Sequence, residues 1–282
     1  MFQRSEKRSR TYTPKTISRA DGKYDVYITG SDQVFSLKLT GADTAFFLDF
    51  VSSAKKISYA ASLGTYQPER KQDYKRLLNA FDKLSVREKS AAALIRRELS
   101  LNTETMPDPV FLHSAAEWRR LLKLNGKVKE QYVLIYALIE ESELYNFADR
   151  IAKARGLKVY AITKALKPKG KAHRFFRNVG PKEFVQLLIH SAFVLTNSFH
   201  GTAFSLIFEK QFIVFLPPTA PERIKDILSF VGIESRVIGS ASALFPEEID
   251  YKLIRDKIHA MMQQGRRYLQ ITENKVPRRG HL

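Results

Sequence analysis

Short apolar runs alternate along this chain with longer stretches in which apolar residues recur every three or four positions. "YDVYITG" (24–30), "TAFFLDF" (44–50) and "KKISYAAS" (55–62) predict strands, and "QDYKRLLNAFDKL" (72–84) predicts an amphipathic helix. A second helical run, "KSAAALIRREL", follows "SVRE" (85–88), and the prolines of "MPDPVFL" (106–112) then break the pattern. The second half repeats the theme. It offers strands at "QYVLIYALI" (131–139), "LKVYAIT" (157–163), "FVLTN" (193–197) and "FIVFL" (212–216). Between them lie helices at 141–156, ended by Gly156, at 181–192, after Gly201, and at 221–232. Strand and helix in alternation imply parallel sheets. The expectation is an α/β protein of two doubly wound, Rossmann-like domains facing a cleft, without internal repeats.

This pattern divides the chain into a basic solvated arm (1–23), an N-terminal domain (24–128), a C-terminal domain (129–245), and a terminal amphipathic helix with a basic tail (246–282). No run has the length and apolarity of a secretion signal or membrane span, so a cytoplasmic location is expected.

Composition changes the picture in two respects. With 47 Lys+Arg against 29 Asp+Glu the net charge is +18, a field that attracts phosphorylated substrates, polyanions or an anionic membrane face. The absence of cysteine excludes disulfides, thiolate metal sites and a cysteine nucleophile. The charge is spread along helices and no nucleic-acid-binding module is recognisable, so nucleic acid is not an expected partner. Neither GxGxxG nor a P-loop pattern occurs.

Candidate chemistry gathers where strands give way to helices, because ligands of open parallel sheets bind beyond the carboxyl ends of the strands. In "TNSFHGTAFSLIFEK" (196–210), His200 occupies such a turn. Asn197, Ser198 and Thr202 can hydrogen-bond a ligand there, and Gly201 permits close backbone approach. The same residues also suit a plain helix start, with Ser198 as its cap. Ser31, Asp32 and Gln33 after Gly30 suit sugar hydroxyls or a simple turn. Ser58 and Tyr59 in "ISYAAS" are candidates for lining a cleft and Ser85 in "SVRE" is a candidate for substrate binding, whereas Trp118 reads as a packing residue.

Several stretches together resemble the polysaccharide pyruvyltransferases. "GSDQVF" (30–35) is similar to that family's "GSDQVW", with Phe35 in place of tryptophan. "FFLDFVSSAKKISYAASLG" (46–64), "LSVREKS" (84–90), "DPVFLHSAAEWRRLL" (108–122), "PKEFVQLLIHSAFVLTNSFHGTAFSLIFEKQFIVF" (181–215) and "ERIKDILSFVGIESRVI" (222–238) follow in the family's order. The resemblance implies a GT-B-like enzyme that moves the enolpyruvyl unit of phosphoenolpyruvate onto two hydroxyls of a sugar or lipid-linked saccharide. No metal or redox cofactor is required. It also implies His200 as general acid, Arg87 as the arginine holding the donor, and Arg223 as a second cation for phosphate. His200, Arg87 and the Ser31–Gln33 turn would border one interdomain cleft.

Relatives generally open with a strand and a glycine- and asparagine-containing loop well before "GSDQV", and the first domain here lacks that opening βα unit. Its loss would expose a sheet edge that a second copy of the chain could cover. The departure keeps two alternatives open: a non-catalytic relative acting as a binding subunit, and a nucleotide-sugar glycosyltransferase of the same two-domain architecture. Lys252, Arg255, Lys257, Arg266 and Arg267 on the terminal helix and tail are the candidates for contact with an anionic membrane.

Overall fold

The computed structural model describes residues 11–124, 130–218, 221–240 and 244–270. The described residues form two compact units. One contains the chain up to Leu112 together with the residues from Met261 onward, and the other is His113–Ala260.

In the N-terminal unit, β1 (Val26–Thr29) runs parallel to β2 (Lys55–Ser58). Helix α1 (Lys71–Asn79) follows, then β3 (Ser85–Val86), α2 (Lys89–Leu94) with one π-helical turn to Leu99, and β4 (Glu104–Thr105), which pairs parallel with β3. Single parallel bridges, Ile57 to Lys83 and Ala61 to Val86, join the two strand pairs. The core beneath them holds Phe35 stacked on Phe47 with ring centroids 4.8 Å apart, and Tyr74, Leu77 and Leu78 of α1 close it. Phe35 is fully buried, so at the position of the family's tryptophan a smaller ring still fills the core. Burying each such side chain contributes about 1.5–3 kcal/mol relative to leaving it in water.

Two segments differ from the pattern-based expectation. "TAFF" is a 3-10 helix, Thr44–Phe47, because the Asp43 carboxylate accepts the Ala45 N–H and starts a turn before any strand pairing forms. Folded structure also begins upstream of Tyr24. Ile17–Ala20 form another 3-10 helix, whose end is tied down by the Tyr27 hydroxyl donating to the Ala20 carbonyl. Asp21 next to it accepts the hydroxyls of Ser52 and Ser53, and these hydrogen bonds hold its carboxyl well below the ordinary range. Ile17–Asp21, which read as solvated arm, are therefore part of the unit.

One face of β1 stays wet among the described residues. Tyr27 and Thr29 are buried, while Val26 and Ile28 are 41% and 54% exposed, although strands of parallel sheets are ordinarily covered on both faces.

The second unit opens with α3 (Ala115–Leu121), whose start is fixed by a capping box between Ser114 and Glu117. Its five-stranded parallel sheet contains β5 (Tyr132–Tyr136), β6 (Lys158–Ile162), β7 (Arg174–Phe176), β8 (Phe193–Thr196) and β9 (Gln211–Val214), in the order β7-β6-β5-β8-β9. The helices between them are α4 (Ser142–Arg155), α5 (Pro181–His190) and α6 (Phe199–Ile207), with α7 (Glu222–Val231) after β9. The chain thus winds outward from β5 in one direction and from β8 in the other. The crevice between the ends of β5 and β8 is the topological switch point of the sheet. β7 was not visible in the sequence pattern, because "RFF" is three residues long and flanked by Lys171, His173 and Arg177.

The last helix, α8 (Tyr251–Tyr268), is shared. Its first ten residues count with the C-terminal unit and its last eight with the N-terminal unit. Tyr251 donates to the Lys210 carbonyl at 2.5 Å and is buried there. Arg266 and Gln264 donate to the carbonyls of Leu112 and Thr105 at 2.9 and 3.0 Å. Of the cations expected to face a membrane, Arg266 is therefore buried, Arg255 makes a two-pronged ion pair with Glu209, and Lys257 donates to the Val231 carbonyl; Lys252 and Arg267 stay exposed. The rest of the expected basic tail, 271–282, lies outside the described residues. Among those residues no helix is long and apolar enough to cross a membrane.

Candidate functional site

The switch-point crevice of the C-terminal unit is built by side chains that tie its loops together. Asn197, 1% exposed, accepts the Leu138 N–H at 2.8 Å and donates to the Ile139 carbonyl at 2.7 Å, so one amide clamps the loop after β8 to the loop after β5. Thr196 donates to the Tyr136 carbonyl at 2.6 Å and accepts the Ser198 N–H at 3.0 Å. Ser198 caps α6 by accepting the Gly201 N–H, and the Thr202 hydroxyl donates back to the Ser198 carbonyl. At Gly201 the contact with β8 leaves no room for a side chain, since a Cβ would stand 2.2 Å from Thr196 Oγ1.

Asn197, Ser198 and Thr202 are all buried, so three expected ligand contacts serve instead to fix the geometry of the turn. His200 is what that geometry presents. It sits in the first turn of α6, partly exposed, at the carboxyl end of β8. The amide groups of a helix start lie beside it, a setting that favours anions. Arg223, in the first turn of α7, places its guanidinium over the ring of Phe199 at 5.9 Å, and Phe199 in turn meets the His200 ring edge-on at 5.5 Å. The structure therefore brings His200 and Arg223 to neighbouring helix starts although 22 residues separate them in the chain. Trp118 packs against Phe204 at 5.3 Å and His113 at 5.5 Å, consistent with its reading as a packing residue.

The candidates of the N-terminal unit have a different setting. The Arg87 side chain is 3% exposed. One of its amino groups meets Asp108, itself 1% exposed, and the other meets Asp32 at 3.1 Å, whose side chain is 67% exposed. Ser31 donates to the same Asp108 at 3.3 Å, and the other Asp108 oxygen accepts the Val110 N–H at 3.0 Å. The side chain of Gln33 lies against Gly64. Arg87 is thus an internal cation that ties the Ser31–Gln33 turn to Asp108, and an incoming anion would have to displace Asp32.

Ser58 and Ser85 bond to each other. Ser58 Oγ donates to the Ser85 carbonyl at 2.7 Å and accepts the Ser85 N–H at 2.8 Å, while Ser85 Oγ donates to the Ser58 carbonyl at 2.7 Å. Both are fully buried, and the reciprocal bonds splice β2 to β3 where the regular ladder is too short to do so. Tyr59 is 4% exposed in a small cluster with Ala60, Met106 and Tyr268, and burial together with the nearby Asp108 carboxylate pushes its phenol well above the ordinary range.

Sequence reasoning missed Asp108. Its one visible signal is an acid held between Pro107 and Pro109, since two prolines fix the backbone that aims it. Among the described residues no cluster of His, Asp and Glu is arranged to hold a metal ion.

Fold and site together define a GT-B-type α/β protein. Its structure is similar to that of UDP-GlcNAc 2-epimerase from Methanocaldococcus jannaschii, at 13% identity and a TM-score of 0.51 over 92% of this chain and 79% of that one. It is similar as well to the UDP-GlcNAc 2-epimerase from Neisseria meningitidis bound to UDP-GlcNAc, at 12% identity and a TM-score of 0.50 over 94% of this chain and 78% of that one. No curated protein matches the chain in sequence. The sequence pattern of the polysaccharide pyruvyl transferase family matches residues 2–217, and the chain belongs to that family. His200 lies within the matched stretch and Arg223 beyond it.

Proposed function

We propose that the protein transfers the pyruvyl unit of phosphoenolpyruvate onto two hydroxyls of a sugar, forming a cyclic ketal for a cell-surface or exported polysaccharide. The observation that carries this reading is the pair His200 and Arg223 at adjoining helix starts of the C-terminal unit, in a chain whose matched segment places it in this family. Phosphoenolpyruvate bears a phosphate and a carboxylate, and a guanidinium beside two helix amino ends has the charge and fork geometry for either group.

The chemistry then follows from the donor. A sugar hydroxyl forms a C–O bond to C2 of phosphoenolpyruvate as C3 takes a proton, which an imidazole positioned at His200 can deliver. This gives a tetrahedral carbon carrying methyl, carboxylate, sugar oxygen and phosphate. The second hydroxyl forms its bond to the same carbon as the C–O bond to phosphate breaks, and inorganic phosphate leaves with the pair of electrons. Of the two hydroxyl protons lost in the additions, one restores the proton that His200 gave to C3 and the other leaves with the phosphate.

Calorimetric titration with phosphoenolpyruvate, beside a panel of nucleotide sugars, tests the donor assignment. Saturable binding of phosphoenolpyruvate that weakens when Arg223 is replaced by Lys supports it. Saturable binding of a nucleotide sugar alone would overturn it and favour the nucleotide-sugar reading.

A further inference from the structure

Arg236 follows α7 in a short 3-10 turn, and although it is charged it is only 4% exposed. Its Nη2 donates to the Glu247 carbonyl, its Nε is buried without a hydrogen-bond partner, and among the described residues no carboxylate reaches ion-pair distance of it. The nearest acid to compete for it, Glu248, is engaged by Arg155 at 3.0 Å. Burial pulls the Arg236 guanidinium below its ordinary range, but an arginine does not lose its proton in a protein, so the charge has to be met by something.

This guanidinium lines a partly enclosed cavity of about 60 Å³, beside the first residues of β8 and β9 and the last residue of α4. That is the amino edge of the sheet, the opposite end from His200. The charged side chains of the wall are Arg236, Arg155 and Glu248, which leaves one positive charge in excess. The remainder is largely hydrocarbon, with Ile151, Phe193 and Phe245. The volume is several times the roughly 10–15 Å³ that one water requires. Free water would solvate a guanidinium but gains nothing from the apolar wall.

The geometry points to a binding site for a small organic carboxylate of two to four carbons. Its carboxylate meets the free edge of Arg236, with Arg155 at the rim, and its short hydrocarbon part lies against Ile151, Phe193 and Phe245. A planar fork facing a planar anion accounts for the choice of carboxylate over a spherical ion, and the apolar wall accounts for the carbon chain. Occupancy supplies the missing counter-charge, so the ligand stabilises the C-terminal unit from the end of the sheet remote from His200.

Thermal melting of the full chain with sodium propionate, against sodium chloride and sodium phosphate at matched ionic strength, tests the site. Propionate at about ten times its Kd is expected to raise the melting temperature by about 3–5 °C. The shift should vanish in Arg236→Gln. Because that variant removes a buried group and can fail to fold, Ala154→Trp is the second arm. Ala154 lines the cavity from the exposed side of α4, so the indole fills the space while Arg236 remains. Loss of the propionate shift in Ala154→Trp, with the variant folded, supports the site. A shift retained in Ala154→Trp, an equal shift with chloride or phosphate, or no shift with propionate at any concentration up to the solubility of the protein overturns it.

Discussion

Arg87 and Arg223 are the two arginines expected at the donor, yet the two units treat them in opposite ways. Arg87 is sealed inside its unit, its charge met by Asp108 on the buried side and Asp32 on the exposed side. Arg223 lies over an aromatic ring at a helix start beside a partly exposed histidine. A buried cation with a buried carboxylate organises structure, because removing either leaves the other stranded in a low-dielectric interior. A cation at a helix start adds to the positive field of the backbone amides there. The position of an arginine within a motif therefore does not reveal how deeply the fold buries it; tertiary packing decides that.

The largest expected effect tests the open side of this contrast. His200→Gln should lower the rate of phosphate release from phosphoenolpyruvate by about 10²- to 10⁴-fold, the usual contribution of a positioned acid, with the melting temperature unchanged. If Arg87→Lys caused the same loss without touching stability, the division of labour between the two arginines would be wrong. On the sealed side, Asp108→Asn should destabilise the N-terminal unit by about 3–5 kcal/mol in urea unfolding, since it removes the most deeply buried of the carboxylates around Arg87 and leaves the charge to Asp32 at the exposed side and Glu88 at 3.8 Å. A cost below about 1 kcal/mol, the range of exposed pairs, would show that Arg87 is not internal.

Gly201→Ala should cost about 1–3 kcal/mol in the same assay, because the added methyl overlaps Thr196 and forces α6 away from β8. Such a shift also moves His200, so activity should fall further than stability alone explains. The smallest effect concerns alkaline pH. Burial pushes the Tyr268 phenol up to about 12, against the opposing hydrogen bond from Ser85. The unfolded phenol ionises near 10, so stability from this group is fully present below about pH 10 and is lost as pH rises toward 12. Tyr268→Phe should show a shallower loss of stability across that window in pH-dependent unfolding, at the cost of its hydrogen bond to the Ser58 carbonyl, about 1 kcal/mol.

How far the sequence disclosed the molecule depended on the range of the forces involved. The C-terminal sheet was legible because its strands are continuous apolar runs such as "YVLIY" and its helices carry their own punctuation, as Gly156, Pro181 and Ser198 show. β7 was not, since three residues carry no period. The 3-10 helix at 44–47 looked like a strand because its aromatic residues outweighed one local hydrogen bond from Asp43. The position of His200 followed from the strand-to-helix transition alone. The fate of its neighbours did not: whether Asn197 meets a ligand or clamps a loop depends on Leu138 and Ile139, nearly sixty residues away. Ser58 and Ser85 show the same limit, as each engages the other's polar groups across 27 residues. Pattern reading finds the residues that can do chemistry, and only tertiary pairing shows which of them remain free to do it.

The division of α8 at Ala260 and Met261 has a consequence for how the protein is made. Gly265 passes so close to Tyr59 that a Cβ there would stand 2.3 Å from its hydroxyl, and Tyr268 closes the cluster of Tyr59, Ala60 and Met106. The last pieces of the N-terminal unit are therefore encoded after the whole of the C-terminal unit. A ribosome adding about 5–20 residues per second needs on the order of ten to thirty seconds to travel from Leu112 to Met261. Through that interval the nascent chain carries a nearly finished first unit whose Tyr59 side is still bare, a window in which a chaperone or a neighbouring nascent chain meets it before its own terminal helix can.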